Sequence, residues 1–108
     1  VTAFGPSEAR FQEQVLELAA LYGWGLRYHT RDARRSDKGW PDLVLCRPPE
    51  ILFVELKGPK TRVTAEQRAW LQALSACGLE THLWHPADFD ELRVRLARPR
   101  AQLAGSAA

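Results

Sequence analysis

Residues 39–58, GWPDLVLCRPPEILFVELKG, set two apolar runs on either side of Pro48-Pro49, with Asp42 opening the first and Glu55 and Lys57 closing the second. Runs rich in Leu, Val and Ile, bounded by proline and glycine, predict strands over 42–46 and 51–57. A loop symmetric about Pro48-Pro49 pairs Cys46 with Ile51, Val44 with Phe53 and Asp42 with Glu55. In that register the two carboxylates are cross-strand neighbours, with β-carbons roughly 5 Å apart. Alternation along a strand puts Lys57 on the same face as Glu55. Pro-Pro cannot supply the positive φ angles of the common two-residue hairpins, so a wider loop is expected, and a slip of one residue would break the carboxylate pairing.

Like charges this close destabilise a sheet unless something neutralises them. A divalent cation would, and hard oxygen ligands suit Mg²⁺ or Mn²⁺, which bind through one or two carboxylates and keep several waters. A lysine beside them can orient a water and offset charge developing on a phosphate. The plainer reading is a strand-end ion pair between Glu55 and Lys57, with Asp42 merely following a turn.

Working outward, Phe11, Val15, Leu18 and Tyr22 recur at helical steps and predict a helix over 7–22, stopped by Gly23. Glu8 falls on its apolar face, one turn before Phe11, so one carboxylate is expected to face inward. GLRYHT (25–30) reads as a short strand, and the polar stretch after it as a mobile loop. Thr64 opens a second helix, with Gln67 placed for a capping box and Trp70, Leu71, Leu74 and Cys77 along one side, up to Gly78. THLWH (81–85) is a fourth strand, a short helix runs from about 87 to 96, and a tail follows from 98. The continuous ILFVEL run suggests a central strand covered on both faces. The expectation is an α/β fold with a mixed sheet of about four strands flanked by helices, in one domain with its core at 7–96.

A chain of 108 residues can bury a core without disulfides or a structural metal. With 45% hydrophobic and 26% charged residues, neither a disordered chain nor a membrane protein fits, and no apolar run approaches a membrane span. Cys46 and Cys77 have no metal-ligand spacing and read as buried free thiols of a reducing compartment. The start at Val1 without any methionine implies a trimmed beginning, residues 1–20 carry no signal-peptide pattern, and a cytoplasmic location is expected. Net charge is only +2, but the basic residues cluster at 27–38, 57–62 and 93–100, as suits a polyanion. Arg31, Arg34, Arg35, Lys38 and Lys60 are the candidates for contacting phosphates.

Pro41-Asp42 followed by Glu55-Leu56-Lys57 matches the PD-(D/E)xK pattern of a nuclease superfamily. More narrowly, the chain resembles a stand-alone VRR-NUC domain through the ordered set SEARFQEQV (7–15), YHTRD (28–32), GWPDLVL (39–45), ELK (55–57), TAEQRAWL (64–71) and HLWHP (82–86). The resemblance implies a restriction-endonuclease-like sheet and hydrolysis of DNA phosphodiesters with Mg²⁺ or Mn²⁺. It implies catalytic roles for Asp42, Glu55, Lys57 and Gln67. Metal would be held by Asp42, Glu55, the Leu56 main-chain carbonyl and, directly or through water, Glu8. It further implies branched DNA such as Holliday junctions as substrate, a homodimer, and a bacterial or phage source.

Several roles stay open on the residues alone. Gln67 serves either the helix cap or the site, and His29 either structure or a phosphate. Trp40 either packs or stacks on a base. Phe4 and Trp84 are apolar enough to join a dimer interface. A non-catalytic nucleic-acid-binding module is the alternative function; it would keep the basic segments without needing Asp42, Glu55 and Lys57 together.

Overall fold

The structure, a computed structural model, describes residues 5–31 and 37–99. Helix α1 (Glu8–Leu21) starts at Ser7, whose hydroxyl accepts the Arg10 amide, and buries Phe11, Val15 and Ala19. Its core-facing line therefore runs through Ala19, and Leu18 and Tyr22, expected on it, sit at its margin. The four strands are β1 (Leu26–His29), β2 (Leu43–Arg47), β3 (Glu50–Leu56) and β4 (Glu80–Trp84), adjacent in that order. The first three form an antiparallel meander, and β4 lies parallel to β3. That last pairing requires a crossover, supplied by α2 (Ala65–Ala76). After β4 the chain makes a 3₁₀ turn, Pro86–Asp88, and then α3 (Phe89–Ala97), so the helix expected from 87 begins as a tighter turn. The result is the expected mixed four-stranded sheet flanked by helices, with β3 central. Among the described residues no helix is long and apolar enough to cross a membrane.

The register pairs Cys46 with Ile51 and Val44 with Phe53, as the symmetry about Pro48-Pro49 predicts. The expected wider loop is corrected: Arg47 pairs with Glu50, so the loop is the two prolines alone, joined by a cis peptide bond. Turns with a cis proline at their third position need no positive φ.

The two sheet faces are covered unequally. On one, Leu43 and Leu45 of β2, Leu52, Val54 and Leu56 of β3 and Trp84 of β4 meet α1 and α3, forming the core with Trp24, Leu92 and Leu96. On the other, α2 leans over β3 and β4, and Trp40 packs edge-on against Phe53 (6.0 Å) and Trp70 (5.0 Å). Among the described residues no helix covers the β1–β2 half of this second face, and Leu26, Tyr28 and Ile51 are 69%, 57% and 37% exposed. Because α2 covers only half a face, none of its residues is fully buried. Cys77 is consequently exposed and Cys46 half-buried, which corrects the expectation of two buried thiols.

At the hairpin end of the sheet a polar cluster staples β2, β3, β4 and α3 together. Arg95 of α3, nearly buried, binds Glu80 (2.7 Å) and Glu50 (2.8 Å), and Arg47 binds Glu50 (2.8 Å). Arg47 also lies over the Trp24 ring at 4.2 Å and donates to the carbonyls of Tyr22 and Leu96. Glu80 is further held by His82 at 2.6 Å. The chemistry-bearing residues lie at the opposite end.

Candidate active site

Asp42 sits one residue before Leu43, which pairs with Val54 as the last rung of the β2–β3 ladder, so it faces Glu55. Its Oδ2 accepts the Leu56 amide at 2.8 Å. Its own carbonyl accepts the Thr30 amide (2.9 Å), and the Thr30 hydroxyl donates to the Pro41 carbonyl (2.9 Å). The Pro41-Asp42 step is thereby pinned from β1 and from β3. The sequence placed Thr30 only as the last residue of the first strand, since its bonds to the 41–42 step depend on how β1 and β2 meet.

Glu55 and Lys57 are buried, at 1% and 5% exposure. Lys57 Nζ is 3.5 Å from Glu55 Oε2. The Gln67 side-chain amide donates to that same oxygen at 2.9 Å, while its Oε1 accepts the Thr64 amide (2.9 Å) and the Thr64 hydroxyl accepts the Gln67 amide (3.1 Å). The two roles left open for Gln67 are thus held at once: one end of its amide caps α2 and the other orients Glu55. Glu55 Oε1 is buried with no hydrogen-bond partner among the described residues.

Burial raises the Glu55 carboxyl to about 8, and Asp42 beside it pushes the same way; the nearby Lys57 ammonium opposes both without overcoming them. Without a cation, burial and the neighbouring carboxylate both favour the protonated form of this group. A buried carboxylate oxygen without a partner, beside a second carboxylate, is a donor set that fits a hard divalent cation. The Leu56 carbonyl points to the same edge of β3 as the amide that binds Asp42, so it faces the pair.

Glu8 departs from expectation. It is exposed, and its Oε1 accepts the Gly58 amide at 3.2 Å. Among the described residues no three His, Cys, Asp or Glu side chains converge as a metal cluster. The carboxylates form a pair, with Glu8 set aside on backbone, so of the two expected roles for Glu8 the water-mediated one suits this geometry.

Gln12, one helical turn after Glu8, has its side-chain nitrogen 2.8 Å from His29 Nε2. Trp40 packs, as the aromatic contacts require. Gly39, at φ +91°, lies so close to α2 that a Cβ there would come within 2.5 Å of the Glu66 carbonyl carbon. Lys38, exposed, is 3.6 Å from Glu66, and its carbonyl accepts the Trp70 indole N–H. Arg31 and Lys60 are exposed. Arg34, Arg35 and Phe4 lie outside the described residues, and Trp84, expected at an interface, is buried in the core.

Comparison with known proteins gives three kinds of match. The sequence model of the VRR-NUC domain matches residues 8–88. The chain is 36% identical over 64 residues to a Fanconi-associated nuclease 1 homolog of Caenorhabditis elegans, and 34% over 64 residues to one of Oryza sativa subsp. japonica. These matches cover 57% and 54% of this chain but only 7% of either relative. A solved structure described as a VRR_NUC domain protein superposes with a TM-score of 0.55 over 85% of this chain and 91% of that one, at 17% identity, which is a likeness of fold.

Proposed function

The chain belongs to the VRR-NUC domain family, and from that premise we propose that it is a metal-dependent DNA endonuclease, acting as a homodimer on branched DNA such as four-way junctions. The observation that carries the proposal is Glu55: a buried carboxyl with one unpartnered oxygen, facing Asp42 and flanked by Lys57. An ion pair at a strand end would not need the second carboxylate, and a module that only binds nucleic acid would need none of the three.

In this reading Asp42, Glu55 and the Leu56 carbonyl would hold Mg²⁺ or Mn²⁺, with Glu8 reaching it through water. When bound, the cation would polarise the phosphate and lower the pKa of the attacking water. The protein does the rest. The Leu56 amide fixes the Asp42 carboxylate, and Gln67 fixes Glu55. Lys57 sets positive charge where the phosphorane-like transition state gathers negative charge, and can orient the water. Exposed Arg31, Lys38 and Lys60 steer the phosphate backbone toward this end of the sheet. A twofold axis would present two such sites to the matching symmetry of a junction.

The test is cleavage of four-way-junction, flap, single-stranded and duplex DNA in Mg²⁺ and in chelator. Glu55→Gln copies the protonated carboxyl and should melt no lower than the parent without metal, yet cut nothing. Mn²⁺ should raise the melting temperature of the parent and not of the variant. Metal-supported cleavage by Glu55→Gln at the parental rate would sink the assigned site, and a monomeric mass by light scattering, free and with junction, would sink the dimer.

A further inference from the structure

The second sheet face carries the site at one end and an open apolar surface along its β1–β2 half, and the two are continuous. Tyr28 pairs with Val44, and Asp42 lies two residues further along β2 on the same face. At about 3.4 Å per residue and 4.8 Å between strands, Tyr28 is roughly 8 Å from Asp42, backbone to backbone. Beyond Tyr28 the face continues through Leu26, Val44 and Ile51, and its acidic side chains, Asp42 and Glu55, both lie at the site end.

We propose that this face is a platform for an unpaired nucleobase of the DNA substrate, with Tyr28 as the stacking residue that selects unpaired nucleotides beside the scissile phosphate. The proposal rests on the DNA-cleaving reading above and adds what that reading lacks, a feature that distinguishes DNA with unpaired nucleotides at a branch, such as a flap, from fully paired DNA. Size argues for this occupant. With exposures of 69%, 57% and 37%, Leu26, Tyr28 and Ile51 offer apolar area on the order of 300 Å². A stable dimer needs about 800 Å² from each partner, so a second copy would be left with too little contact here. One or two flat rings match the area, every base has a π-face for Tyr28, and away from Asp42 and Glu55 the face from Tyr28 to Leu26 and Ile51 carries no acidic group to repel a polyanion.

The experiment measures affinity without cleavage, in chelator, for a duplex bearing a short unpaired flap and for a fully paired duplex of equal length. The flap carries 2-aminopurine beside the branch. The parent should prefer the flap and quench the probe. Tyr28→Ala should lower the flap-to-duplex affinity ratio by about 5- to 150-fold per stacked base and abolish the quenching; Tyr28→Phe should restore both. An unchanged ratio, or an equal loss on both DNAs, overturns the proposal. So does a parent dimer that Tyr28→Ala converts to monomer, since the occupant would then be a second copy. The two readings fail separately. Metal-supported cleavage with an unchanged Tyr28→Ala ratio removes only the platform, and base quenching without cleavage removes only the nuclease.

Discussion

Gln67 allows helix capping and site positioning to be separated, because its two amide atoms serve different partners. In Gln67→Glu the side chain still accepts the Thr64 amide, as glutamate does in a capping box, so α2 keeps its start. What is lost is the donor 2.9 Å from Glu55 Oε2, and a carboxylate takes its place. A hydrogen bond to a charged group is worth about 1.5–3 kcal/mol, which corresponds to roughly 10- to 150-fold in rate if it acts in the transition state. Thr64→Ala makes the reverse change: it removes the cap, at about 1 kcal/mol, or about 4–8 °C in melting temperature for a domain near this size, and leaves the Gln67–Glu55 bond in place. Single-turnover cleavage of a labelled oligonucleotide at 25 °C, beside thermal melts by circular dichroism, should therefore show Gln67→Glu slow and stable, and Thr64→Ala active and less stable. If activity instead followed melting temperature in both variants, Gln67 would act on cleavage only by holding the helix, and the positioning argument would fail.

Arg95→Met takes the shared guanidinium from Glu50 and Glu80 while Arg47 and His82 stay on them, a loss of about 1.5–3 kcal/mol that calorimetry should record, with cleavage at low temperature retained because the site lies at the other end of the sheet. Burial alone would raise the Glu80 carboxyl, but hydrogen bonds from Arg95 and His82 and the Arg95 charge hold it near 2. Its contribution, on the order of 3 kcal/mol, is present above about pH 4.5 and lost as pH falls toward 2, so acid should destabilise the parent between those values more than it does Arg95→Met. Gly39→Ala meets α2 backbone that cannot yield, and should lower both melting temperature and cleavage by shifting the chain leading into Asp42; Gly25→Ala, with open space around it, should do neither, and equal effects would refute the close approach. Lys38→Ala with Lys60→Ala should reduce the slope of log affinity against log salt by about 0.9 for each phosphate no longer neutralised, and an unchanged slope would place the DNA elsewhere.

The register of the hairpin was legible because a period-2 pattern symmetric about Pro48-Pro49 leaves few alternatives, although the loop is tighter than the sequence suggested. The first helix was legible from Phe11 and Val15. The Gln67–Glu55 bond was not, since it depends on how a crossover helix tilts over its strand, and no spacing encodes that. The Arg95–Glu50–Glu80 cluster joins residues on three elements, each of which alone looks like a surface charge. The exposure of Cys77 and the openness around Tyr28 share one cause: α2 lies over β3 and β4 only, and amphipathic spacing tells which side of a helix is apolar, not how much sheet it reaches.

Beyond Glu55 the chain's amides find their acceptors in alternation. Leu56 N–H goes to Asp42, Lys57 N–H to the Trp84 carbonyl, and Gly58 N–H to Glu8. The strand is thus finished by carboxylates where another strand would have offered carbonyls, so two acidic groups of the site each carry a private spectroscopic label. Deuterium exchange at the Leu56 amide reports how long Asp42 holds its place, and exchange at Gly58 does the same for Glu8. A titration with cation, followed at those two amides, would watch each carboxylate individually before any phosphodiester bond is broken.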